Sequence, residues 1–454
     1  MSRLALDLLA ENVILVAVGW AFLYGVGLGT ARRGDLRLIG LSYLVGWALL
    51  SSLLSFALML GIPLVLPTVV VVAGLTIAAS VVLRRHPPEP PEPRAKEGVA
   101  ERVVTAFAVA IIAVALASAL VTALKSEWDP NLDLLTAWLP RAHLIFLSHQ
   151  FDASQWATFL DPWYPPLAPT SYATTFAFVG GFHPSVLSVQ QALLGVAFIL
   201  SVATILDRFA PRWITFPSLA LLVTAPWFWW RLTSLLPDQT LAYLVAAAGL
   251  TSLLWLYERR NAWLALALVF LVATTLVKLE GLAFAGILAV VVAATGLVVH
   301  RRQGLPALIL LLGPLAIVPW RLWLSANNIA ATNSQLNGSQ SLSPSFLAHR
   351  IHRLTYAIRY MLDAPWRQDY RTAVIIVLAI AVTLVVVRQI PAVTVALAIW
   401  LTLSFFALAS SYWTAQIDLQ FYVATSASRV GGVLIVAAAT ATPLLLGLAL
   451  RSRR

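Results

Sequence analysis

The stretch VVTAFAVAIIAVALASALVTALKSEWDP, residues 103–130, holds two messages in one run. Residues 103–124 are almost wholly apolar and long enough to cross ~30 Å of hydrocarbon as an α-helix. The end turns abruptly polar, with Glu127, Trp128 and Asp129 placed ahead of Pro130. Apolar runs of this kind recur through a chain that is 60% hydrophobic and 11% charged, with a mean hydropathy of +0.86. They are continuous rather than alternating, which excludes a strand-built barrel. The fold is therefore read as all-α, a polytopic helical membrane protein. About thirteen transmembrane helices are expected, at 12–30, 38–60, 64–83, 103–124, 184–206, 214–230, 238–257, 262–277, 281–299, 306–325, 372–388, 391–411 and 429–450.

A net charge of +11 suggests a nucleic-acid binder at first sight. The distribution argues against nucleic acid as a partner, because most basic residues form short clusters between spans. Arg32-Arg33, Arg84-Arg85, Arg208 with Arg212, Arg259-Arg260, Arg301-Arg302, Arg388 and the terminal RSRR all fall on one side of the threading. That side is read as cytoplasmic by the positive-inside rule. Lys is used only at 96, 125 and 278, and with abundant Ala, Leu and Val this suggests a GC-rich bacterial genome, hence a bacterial inner (plasma) membrane. There is no Cys, which rules out a disulfide framework or a thiolate metal site. Residues 1–83 form a set of N-terminal transmembrane helices, 84–102 a Pro-rich cytoplasmic linker, and 103–454 the remaining transmembrane region.

The opposite, non-cytoplasmic face receives the long loops, 125–183, 326–371 and 412–428. The first is too rich in Trp, Tyr, Pro and Leu to be disordered and is expected to fold. Ten acidic residues map to this face: Glu127, Asp129, Asp133, Asp152, Asp161, Asp238, Glu280, Asp363, Asp369 and Asp418. Charge beside hydrocarbon is costly and points to function, although interfacial side chains also simply reach into water. Asp129-Pro130 reads as a helix N-cap with Pro at the first helical position, and Asp133 follows one turn on. A break or kink is expected at Pro140, ahead of Arg141 and His143. Tyr164-Pro165-Pro166 reads as a stiff extended segment, serving either as a ligand support or as a turn into the next span. Lys278-Leu-Glu280 interrupts an otherwise apolar run, as a tight hairpin or as a functional ion pair. In HRIHRLTYAIRYML, 349–362, one helical face gathers His349, His352, Arg353, Tyr356 and Tyr360, as an interfacial amphipathic helix does.

Together these pieces resemble the GT-C superfamily of polytopic glycosyltransferases. The resemblance rests on Trp-Asp at 128–129, TAWLPRAHLIF at 136–146, YPPL at 164–167, Pro-Asp at 237–238, LVKLEGL at 276–282, and ATSASRV at 424–430 after Asp418. Leu279 and Arg141 depart from it, standing where a polar residue and Lys are commoner. What the resemblance implies is transfer of a sugar from a polyprenyl-phosphate-linked donor to a lipid or glycan acceptor, usually with inversion. Asp129 would be the catalytic carboxylate, either as general base or as a ligand of Mg²⁺ or Mn²⁺, a choice the residues leave open. The substrate-binding set would be Asp133, Arg141, Tyr164, Asp238, Lys278, Glu280, Ser426 and Arg429. Arg141, Lys278 and Arg429 are the candidate cations for a phosphate leaving group. No His/Cys metal spacing is present. A multi-span transporter or lipid flippase is the alternative; it would place ionisable residues near the bilayer midplane in repeated halves, and the sequence shows no internal repeat.

Overall fold

A computed structural model describes residues 3–28, 38–83, 97–125, 133–330, 343–368, 370–415 and 418–452. It is helical throughout; no strand occurs among the described residues. The chain opens with α1 (Arg3–Gly25), α2 (Ile39–Met59) and α3 (Leu66–Val82), then α4 (Val99–Lys125). A π-helical turn, Leu134–Trp138, leads into α5 (Leu139–Ser148), followed by α6 (Ala153–Trp156) and α7 (Leu167–Val179). The middle of the chain supplies α8 (Pro184–Asp207), α9 (Arg212–Val223), α10 (Pro226–Arg231), α11 (Pro237–Glu258), α12 (Asn261–Val277) and α13 (Leu279–His300). A 3₁₀ segment, Arg301–Leu311, passes into α14 (Leu312–Leu315) and α15 (Val318–Ala326). After them come α16 (Pro344–His349), α17 (Ile351–Gln368), α18 (Tyr370–Val386), α19 (Pro391–Thr414) and α20 (Leu419–Ser452).

Eight helical stretches among the described residues are long and apolar enough to cross a membrane: α1, α2, α4, α8, α11, the continuous stretch Leu279–Ala326, α19 and α20. This is fewer than the thirteen spans expected. The remaining expected spans are helical but shorter, and prolines account for part of the difference. Pro217 lies inside α9, and Pro226 starts the separate α10. Pro306 lies inside the 3₁₀ segment and Pro314 inside α14, so 306–325 is no single α-helix. At 17 residues, α3, α12 and α18 are each only about 25 Å long.

The core is organised around α11, whose residues Pro237 to Leu256 are all buried. A helix apolar nearly all round must be enclosed by others, and α8, α12, α13, α19 and α20 pack around this one. The N-terminal helices are not set apart by the linker: α2 packs on α8 and α12, and α1 on α7. Where α1 crosses α2, a Cβ on Gly46 would stand 1.8 Å from the Leu15 carbonyl oxygen. Small residues are what let two such backbones approach that closely.

The two ends of α11 differ in chemistry. At its C-terminal end Glu258 pairs with Arg208 at 3.3 Å, and the Arg208 carbonyl accepts from Arg451 at the end of α20. Its N-terminal end carries Asp238 in the first turn. Of the loop 125–183, expected to fold, the described part from residue 133 onward does so as α5, α6 and α7, with α7 buried through Phe176.

Candidate functional site

Asp238 follows Pro237, which takes one of the first positions of α11, where a missing N–H costs nothing. Its carboxylate is held by Lys278, whose Nζ donates to Asp238 Oδ1 at 2.9 Å. Lys278 is a single extended residue between α12 and α13. The hairpin closes that tightly because residue 281 is Gly: a Cβ there would lie 2.0 Å from the Thr274 carbonyl oxygen. The same ammonium reaches Glu280 Oε1 at 3.4 Å, so Lys278 bridges two carboxylates. Burial alone would pull this ammonium down, but the charges of Asp238 and Glu280 outweigh burial and hold it well above its usual value. The structure thus shows the hairpin expected at Lys278-Leu-Glu280, with its lysine in a buried ion pair.

Arg429, from α20, completes the group. Its Nη1 donates to Asp133 Oδ2 at 2.5 Å, and its charge interacts with Asp238 and Glu280. Residues 133, 238, 278, 280 and 429 come from distant parts of the chain, and the fold brings them to the N-terminal end of α11. Tyr164 joins them: it is half-buried, its ring lies 5.3 Å from that of Trp138, and it feels the charges of Glu280 and Lys278. Burial raises its phenol well above the ordinary range. Ser426 Oγ lies 3.0 Å from the Tyr412 hydroxyl and donates to the Tyr422 carbonyl. Two buried polar atoms of this cluster, Arg429 Nε and Glu280 Oε2, have no partner among the described residues. A buried donor and acceptor left unmade are costly unless something else satisfies them.

Arg141 is placed differently from the cation expected beside a leaving group. It is completely buried, its guanidinium 5.5–5.8 Å from the ring centroids of Trp138, Trp156 and Phe159. It donates to the carbonyls of Leu160 and Asp161, the latter at 2.7 Å. Burial draws it down to about 10, against the pull of Asp161. Arg141 therefore braces the 160–161 turn, where Asp161 takes a left-handed φ of 56°. Burial raises the Asp161 carboxyl, Arg141 opposing, and its other charged neighbours are Asp133, Lys278 and Glu280. At Pro140 the expected break is a change of winding: the π-helical turn runs directly into α5.

Sequence reading missed Arg231. It sits in the last turn of α10, donates to the Arg429 carbonyl at 3.3 Å, and stacks 4.8 Å from the Trp227 ring centroid. Burial brings it down to about 10. The only signal available was a lone basic residue in PWFWWRLTS just ahead of Pro237-Asp238. Trp227 donates to the Ser428 carbonyl at 3.1 Å, and both residues line an apolar cavity of about 510 Å³ between α17, α18, α19 and α20. The polar cluster and this cavity share a boundary along α20.

The amphipathic helix expected over 349–362 is divided: His349 ends α16, and α17 begins at Ile351. Arg350, at the break, donates to the Ala415 carbonyl at 2.5 Å, and Arg353 to that of Tyr412 at 3.3 Å. Met361 and Leu362 of α17 line the apolar cavity. Asp418 caps α20, accepting from the Phe421 backbone N–H at 2.8 Å. Asp129, with Glu127, Trp128 and Pro130, lies outside the described residues. Among the described residues no three His, Cys, Asp or Glu side chains converge as metal ligands would. Comparison with family models, curated proteins and solved structures returns no match to the chain.

Proposed function

We propose that the protein is a membrane glycosyltransferase of the GT-C type, moving a sugar from a polyprenyl-phosphate carrier to a lipid or glycan acceptor. One observation carries the reading: a cluster of paired acids and cations, in which Arg429 Nε and Glu280 Oε2 find no partner among the described residues, adjoins an apolar cavity across Trp227 and Ser428. A lipid-linked sugar needs such a junction, with hydroxyls and phosphate on the polar side and hydrocarbon on the other.

In the displacement, the acceptor oxygen bonds to the anomeric carbon as the carbon–oxygen bond to the lipid phosphate breaks, with inversion. The acceptor proton goes to the Asp129 carboxylate, and the negative charge that develops on the phosphate meets Arg429 and Arg231. Preorganised cations aimed at developing charge supply most of such a barrier reduction. Asp133 and Asp238 hold those cations in place, Lys278 fixes the Asp238 carboxylate, and Glu280 offers its second oxygen to a sugar hydroxyl. Thirteen spans, with the cluster on the non-cytoplasmic face of a bacterial inner membrane, complete the reading. Support comes from the arginines at the opposite end of α11, as the positive-inside rule requires.

Native mass spectrometry of gently purified protein tests this without a guess at the sugar. Retention of a polyprenyl phosphate or its glycosylated form is expected, and Asp129→Asn should abolish transfer while leaving the protein folded in detergent. Full transfer by that variant, or retention of bulk phospholipid alone after polyprenyl phosphate is added, overturns the proposal.

A further inference from the structure

The opposite end of the molecule holds a second cavity, of about 690 Å³. Its walls are apolar and come from α1, α3, α12 and the 3₁₀ segment, through Phe22, Leu83, Leu264, Leu268, Leu305 and Ile309. Its lining includes one amide, Asn261, which starts α12 directly after Arg260. On the 3₁₀ side, the lining residues Leu305 and Pro306 follow closely on Arg301 and Arg302. The two arginine turns are tied together by a hydrogen bond from Arg259 to the Gln303 side chain. Both turns are made through left-handed arginines, Arg259 at φ 55° and Arg301 at φ 52°. Such backbone is uncommon for a residue with a side chain.

Among the described residues the charge here is only partly balanced. Of the nearby acids, Asp207 pairs with Arg212, and Glu258 pairs with Arg208 and also faces Arg260. Arg301 and Arg302 are exposed and have no ion-pair partner among the described residues. An apolar pocket beside uncompensated guanidinium groups matches one kind of molecule, an acyl chain that ends in an anion.

We infer that this cavity binds an anionic phospholipid of the leaflet that the arginine end faces, its acyl chain between α3 and α12 and its phosphate against Arg301 and Arg302. The inference is independent of the transferase reading, since the residues lie at the far end of α11 from the polar cluster. Guanidinium groups near a membrane surface attract anionic headgroups by an amount that sets the scale of preference at roughly tenfold over a zwitterionic lipid.

The test uses the full-length protein, delipidated in detergent and titrated with phosphatidylglycerol or phosphatidylcholine while bound lipid is counted by native mass spectrometry. Wild-type protein should retain phosphatidylglycerol about tenfold better. The double variant Arg301→Gln/Arg302→Gln should bring the two lipids close to parity. Ala265→Phe, which fills the cavity from α12, should weaken retention of both. Leu305→Trp repeats that blockade from the opposite wall, so that misfolding of one variant leaves the other to decide. Equal retention of both lipids by the wild type, or a preference untouched by the arginine and cavity variants alike, overturns the inference.

Discussion

Among individual residues, the most consequential is Lys278, which holds Asp238 at 2.9 Å with both side chains buried. Removing one member of a buried pair strands the other charge, at a cost of about 3–5 kcal/mol. Lys278→Met should therefore lower the detergent unfolding temperature strongly, and Lys278→Met/Asp238→Leu should recover most of the loss while remaining inactive. A double variant no more stable than the single would show that the pair is not the source of the cost. What sequence alone could say about such residues depended on their neighbours. Asp238 was legible because Pro237 marks a helix start, and Lys278 because a charge breaks an apolar run. Arg141 looked equally functional, yet its guanidinium is enclosed by Trp138, Trp156 and Phe159; a sequence does not reveal whether a cation faces a ligand or an aromatic wall. Arg231 escaped notice because its role depends on α20, nearly two hundred positions away.

Helical elements act here through how closely they approach. The α12–α13 hairpin turns on one extended residue, and a Cβ on residue 281 would stand 2.0 Å from the Thr274 carbonyl oxygen. Gly281→Ala should push α13 away from α12 and draw Glu280 out of register with Lys278. Forcing extra atoms into packed contacts typically costs about 1–3 kcal/mol. The expected outcome is transfer activity reduced more than stability, read by comparing turnover with thermal unfolding; wild-type turnover would show that the hairpin does not position the site. Helical class and most helix positions were legible from the apolar runs. Helix lengths were less so, because Pro217, Pro306 and Pro314 divide runs that hydropathy alone joins. The burial of α7 was not legible either, since its Thr, Ser and Tyr residues look like loop chemistry until their hydrogen bonds are seen, as with Tyr172, which donates to the Leu235 carbonyl at 2.6 Å.

For the whole molecule, the separation of the acid–cation cluster from the arginine end predicts opposite accessibility. A cysteine introduced at Ser154 should react with an impermeant maleimide added to intact cells, once any outer membrane is permeabilised, and one at Arg302 only after inner-membrane lysis. The reverse pattern would invert the threading. The burial of α11 has a further consequence, for biosynthesis. This helix carries Asp238, Gln239, Thr240, Thr251 and Ser252, all buried against protein, yet α20, one of its principal neighbours, is translated long after it. Until α20 arrives, the ribosome has released a helix with these polar side chains into the bilayer with one wall missing. A chain stopped at residue 415 should then be cleared by membrane quality control much faster than the full-length protein in a pulse-chase, and co-expression of α20 as a separate peptide should slow that clearance.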